Sequence, residues 1–153
     1  MKKDGLIYKA YFDKEIKFSI RLGRLLLAFG SIFLFISGLT HIIVSIISLV
    51  NTDYSTFTAV SYFLVILSFV LYLFMIFSSI GGVSFSLNKG PFLSLTALTA
   101  IVSAVFFFIW IIFDFNNLFS SGDWESFLES FASIDLSLCI YFIGWFLAKD
   151  YLD

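Results

Sequence analysis

Long runs without a formal charge decide what this chain can fold into. The run 25–50 would extend ~39 Å as an α-helix, against a hydrocarbon layer of roughly 30 Å. The runs 57–80 and 92–113 are also uncharged, and 131–148 is shorter and carries Asp135 near its start. The 153-residue chain is 60% hydrophobic and 13% charged. That is about half the charge of an ordinary soluble domain, too little to cover the surface in water. Lipid must solvate the remainder. The expected fold is all-α: an integral membrane four-helix transmembrane bundle, up-down-up-down, a single domain over 1–153.

The connections fall at 51–56, 81–91 and 114–130. Gly81-Gly82 reads as a helix stop, and Asn88-Lys89-Gly90-Pro91 reads as a turn leading into a helix with proline first. Links this short leave no room for a soluble domain and favour antiparallel neighbours. The first apolar run follows a charged, amphipathic lead and has no A-x-A exit, so no cleavable signal is expected.

Charge gives the orientation. Lys2, Lys3, Lys9, Lys14, Lys17, Arg21 and Arg24 precede the first span, Lys89 lies in the second link, and Lys149 follows the fourth span. Four spans put all of these on one side. The opposite side holds Asp53, Asp114, Asp123, Glu125 and Glu129 and no cation. The positive-inside rule therefore predicts a multi-pass protein of the cell membrane with both termini cytoplasmic.

Residues 6–24 read as an amphipathic interfacial helix. Tyr8, Phe12, Ile16 and Ile20 recur at four-residue spacing beside Lys9, Asp13, Lys17 and Arg21. Lys9, Lys14, Lys17, Arg21 and Arg24 are its candidate contacts to lipid headgroups. In the third link, Trp124, Phe127, Leu128 and Phe131 follow i, i+3, i+4, i+7, and Ser120-x-x-Asp123 offers a helix start.

Small residues mark close approach of helices in lipid. Gly23, Gly30 and Ser37 form a seam on the first span, with Ser31, Gly38 and Ser45 beside them. His41 falls in that seam. The second span aligns Ser61, Ser68, Tyr72 and Ser79; the third Thr96, Ala100 and Ala104 beside Thr99 and Ser103; the fourth Ser133, Ser137, Gly144 and Ala148. His41, Tyr72 and Ser103 are thus the candidate interhelical polar contacts. At about 100° per residue Asp135 lies nearly opposite the fourth stripe. It is expected to face outward, as a candidate contact to a partner chain. By rise per residue, His41 sits ~13 Å and Asp135 ~6 Å from the nearer end of their spans, too unlike for a direct pair.

Chemistry-bearing residues are few. The single cysteine, Cys139, excludes a disulfide or CxxC pair within the chain, and the single histidine, His41, excludes two-histidine haem ligation. No cofactor, metal site or nucleic-acid partner is expected. Two aspartates, Asp114 and Asp135, at the ends of the last two spans resemble the topology of lipoprotein signal peptidase, and Phe131-x-x-x-Asp135 is similar to part of its second motif. That resemblance implies an aspartyl dyad. Ala132 stands where that family has asparagine, no arginine or Gly-Asn pair flanks Asp114, and the first link is too short for its platform. The leading expectation is a non-enzymatic protein acting through helix contacts, an accessory, assembly or protective subunit of a membrane complex. Its partners would be membrane lipids and another membrane protein or further copies of itself. A small transporter or channel component working as an oligomer comes next, and an intramembrane aspartyl enzyme third.

Overall fold

The computed structural model describes residues 17–52, 57–86 and 93–149. Nearly all of them are helical. The elements are α1 (Phe18–Asn51), α2 (Ala59–Ser86), α3 (Leu93–Ser121), the short α4 (Trp124–Ser130), a π-helical turn (Phe131–Asp135) and α5 (Leu136–Ala148). The last three run on without a break. Among the described residues, four helical stretches are long and apolar enough to cross a membrane: Phe18–Asn51, Ala59–Ser86, Leu95–Ser121 and Trp124–Ala148. The protein is an all-helical membrane protein with four candidate spans.

α1 packs against both α2 and α5, and α3 lies against the other sides of α2 and α5. Glycine sets these distances. A Cβ on Gly144 would run into the backbone of Leu27, and one on Gly30 would stand 2.8 Å from the amide nitrogen of Tyr141. Gly38 brings α1 equally near the Tyr72 carbonyl of α2, at 2.9 Å from where its Cβ would be. In lipid such contact replaces the hydrophobic drive that water would supply. Leu27, Leu34, Leu71, Met75, Leu138 and Tyr141 fill the centre.

Gly81-Gly82 does not stop α2, which continues to Ser86. Both glycines are buried: Gly82 receives Ser31 and Tyr141, and Gly81 faces Thr96. A glycine stop is found instead at the end of α3, at Gly122. It adopts φ +70°, in open space, and its amide donates to the Leu118 carbonyl at 2.8 Å. That is a left-handed C-terminal cap. Asp123 then caps α4, its carboxylate accepting from the Ser126 amide at 3.1 Å and the Ser126 hydroxyl at 2.7 Å. The helix start thus lies at Asp123 itself, three residues beyond the Ser120 start that the Ser120-x-x-Asp123 pattern suggests. Asp114, expected at a span's end, sits inside α3.

The lead to the first span also differs in part. α1 is one apolar helix from Phe18, so 18–24 are its opening turns, while 6–16, with Lys9 and Lys14, lie outside the described residues. Lys17 is exposed and Arg21 half-buried. Arg24 is only 1% exposed, which removes it from any headgroup surface. The reason is its place on the stripe Ile20, Gly23, Leu27, which Gly23 presses against Leu147 and Ala148 of α5.

Candidate functional site: two carboxyl groups beneath a polar cavity

Asp135 is buried, and this corrects its outward assignment. Its exposure is 0%, and it shares the inner face with Ile134, Ser137, Leu138 and Tyr141. The inner face here is wider than the stripe of small residues: the helix is packed against both α1 and α3, and Asp135, about one turn before Leu138, falls on the Leu138 flank of that buried face. Phe131–Asp135 form a π-helical turn, in which the Leu136 amide reaches back to the Phe131 carbonyl. Hydroxyls satisfy the carbonyls around the turn. Ser133 Oγ donates to the Glu129 carbonyl at 2.8 Å, and Ser137 Oγ lies 2.8 Å from the Ser133 and Ile134 carbonyls. As a contact to a partner chain, Asp135 is withdrawn.

Depth changes with it. Because the fourth span reaches back to Trp124, Asp135 lies ~16 Å from that end, close to the ~15 Å of His41 from Asn51, while Asp114 lies ~10 Å from Ser121. Asp135 and His41 thus share a level, and Asp114 stands about one helical turn nearer the end of its span.

The carboxyl group of Asp135 faces that of Asp114 on α3. Asp114 is only 7% exposed. Among the described residues, no donor group reaches Oδ1 or Oδ2 of Asp135, or Oδ2 of Asp114. Two carboxyl groups left with each other can hydrogen-bond only when one carries a proton, because an ionised carboxylate accepts and cannot donate.

Above the pair opens a cavity of about 480 Å³ between α1, α2, α3 and α4. Asp114, Asn117, Ser121 and Asp123 line it on one side, with His41, Tyr72, Trp110 and Phe127 opposite or below. Among the described lining residues there is no Lys or Arg. His41 is held in place: its Nδ1 lies 2.8 Å from the Ser37 carbonyl, which only accepts, so Nδ1 carries the hydrogen. Nε2 then faces Ser133 Oγ at 3.5 Å, and the ring rests on Tyr72 with centroids 5.1 Å apart. The Tyr72 side chain meets Ser68 on its own helix and Ser45 on α1. Among the described residues, no group of three His, Cys, Asp or Glu side chains converges as a metal would require.

Known proteins offer no parallel. Neither a family model, nor a characterised protein, nor a solved structure matches this chain.

Of the residues expected to tie helices together, His41 and Tyr72 stand at the cavity wall. The Ser103 hydroxyl turns back to the Thr99 carbonyl of its own helix at 2.7 Å and, among the described residues, makes no hydrogen bond to another helix. His41 meets Ser133 and Tyr72 meets Ser45 across helices, and a further interhelical polar tie is made by Tyr141, overlooked in the sequence because it sits in an apolar run. Its hydroxyl donates to the Ser78 carbonyl of α2 at 2.9 Å and lies 2.9 Å from Thr99 Oγ1 of α3. A phenol spans the gap that a serine cannot. Asp123 is the exposed acid of the site, and the hydrogen bonds from Ser126 hold its carboxyl below the usual carboxylate range.

Proposed function

We propose that this protein is a small transporter component of a membrane, whose Asp114–Asp135 pair takes up and releases a proton through the cavity. The observation that carries the reading is the stacking of the two acids in depth. Asp114 stands on the cavity wall, and Asp135 lies behind it with both oxygens lacking a donor. An isolated carboxylate near mid-membrane costs roughly 2.5–3.5 kcal/mol on the insertion scale, so a site of this kind is kept for ion or proton traffic. An aspartyl enzyme would need both carboxyl groups on one water and one scissile bond. Fully covered Asp135 does not suit that task. The accessory-subunit reading leaned on an outward Asp135 and loses its best residue.

The remaining architecture agrees with transport. Tyr141, Ser78 and Thr99 tie three helices together on the far side of the pair and would close the path there. Gly23 beside Ala148, Gly38 beside Met75 and Gly81 beside Thr96 support the up-down-up-down order. The cation distribution supports cytoplasmic termini in a cell membrane, with the cavity opening outward. Membrane lipids surround the unit, and further copies of it complete the working oligomer.

Infrared difference spectroscopy of the protein in lipid tests the reading. The wild type should show the C=O stretch of a protonated carboxyl group, lost in Asp135→Asn and shifted in frequency in Asp114→Asn, where the buried Asp135 carboxyl group is left without its partner. A wild-type spectrum without that band, in a folded sample, overturns the proton site.

A further inference from the structure

The geometry points to an amphiphilic cation as the ligand: a positively charged head in the acidic cavity, and an apolar tail in a groove between α1 and α2. This rests on the transporter reading and adds its substrate class. A second hollow, of about 290 Å³, opens between those helices. Val44, Leu49, Phe57, Leu64, Val65 and Phe69 give it an apolar wall, with Ser45, Ser48 and Ser68 among them. Tyr72 lines both spaces and is their common wall. A molecule with one polar and one apolar end would lie across Tyr72 without burying either end wrongly.

Charge selects the head. The wide cavity presents Asp114 and Asp123 and, among its described lining residues, no Lys or Arg. Asp114 is more than nine-tenths buried, lines that cavity, and its Oδ2 has no donor. An ammonium head in that cavity stands beside the Asp114 carboxyl group on its wall and among the rings of Trp110, Tyr72 and Phe127, and aromatic rings attract cations through their quadrupole. The charge balance is one for one. A cation arriving at the acid pair displaces the proton the pair holds, and that proton leaves through the same cavity. Anionic amphiphiles would meet carboxylates and no counter-charge.

The test uses the full chain in phosphatidylcholine nanodiscs, titrated with a fluorescent long-chain quaternary ammonium and its uncharged amide counterpart. A quaternary head has no proton of its own, so proton release read with a dye in weak buffer comes from the protein. The cation should bind saturably, release protons and bind more tightly as pH rises, and the amide should bind far more weakly. Asp114→Asn should weaken the cation by about tenfold or more, the loss of one well-placed charge contact. Ser68→Trp, and independently Ser48→Trp from the α1 side, should fill the groove. They should weaken the long-chain cation while sparing a short-chain quaternary ammonium. Equal binding of the amide, or an unchanged Asp114→Asn, overturns the cationic head. Groove variants that leave the long-chain cation unaffected, or weaken both chain lengths alike, overturn the tail site. Absence of cation binding with the infrared carboxyl band intact sinks only this ligand class. Cation binding without proton release sinks the transporter reading instead.

Discussion

Asp135 stands where a leucine would be more comfortable. Its neighbours on the inner face are Ile134, Leu138 and Tyr141, and its own oxygens meet no donor. Replacing a buried polar or ionic group by an apolar one of similar size is often neutral or stabilising, by about 1–4 kcal/mol. Asp135→Leu should therefore raise the unfolding midpoint of the protein in mild detergent while erasing the infrared carboxyl signal. Stability gained together with function lost is the signature of a residue retained for chemistry. A destabilised Asp135→Leu would mean that the carboxyl group holds the bundle together. Gly144 makes the opposite case, a residue whose whole role is to be absent. Gly144→Ala places a methyl group against the Leu27 backbone, which cannot swing aside as a side chain would. Overpacking of this kind costs about 1–3 kcal/mol, read as a lowered melting temperature with the infrared band retained.

Among the elements, α4 shows most plainly what the sequence conveys and what it withholds. Its apolar spacing, Trp124, Phe127, Leu128 and Phe131, marks a helix, and Gly122 and Asp123 fix where it begins. Because Ser126 holds the folded Asp123 carboxyl below its ordinary range, the cap is present above that range and is lost as pH falls through the lowered value. The protection of the Ser126 amide against hydrogen exchange, taken relative to the intrinsic rate at each pH, should accordingly fall on acidification, and Asp123→Ala should remove that fall. If the protection of Ser126 is the same throughout, the cap contributes nothing in lipid. The spans were legible for a simple reason: uncharged runs of such length have no other solvent than lipid. Their ends were less so, since hydropathy reports the apolar layer and helices continue past it. α3 carries Asp114, Asn117 and Ser120 beyond its apolar stretch, and α2 runs through two glycines that serve packing. The site was half legible. His41 and Tyr72 lie on small-residue seams that period 3.6 identifies, but the fourth span is buried on a face wider than its small-residue stripe, and the stripe alone does not reveal that Leu138 and Asp135 beside it also lie inward.

At the scale of the whole molecule, the remaining question is which way the cavity faces, because that decides what the acid pair exchanges with. Lys17, Arg21, Arg24 and Lys149 lie near one end of the bundle, where Gly23 meets Ala148. Asp123, which lines the cavity, lies with Glu125 and Glu129 toward the other. Moving cationic segments across a membrane against its potential is unfavourable, so the first end should stay in the cytoplasm. Ser121 and Lys149 are both exposed, which makes them fair reporters. In a Cys139→Ser background, Ser121→Cys should react with an impermeant maleimide added to intact cells, and Lys149→Cys should react only after the cells are opened. That outcome sets the acid pair to load from outside. The reverse labelling would turn the cavity toward the cytoplasm, and the cation would then be captured there and expelled. Labelling of both sites in sealed cells would mean that the chain inserts in two orientations, so that opposed copies could pair, each offering its acid pair to a different side.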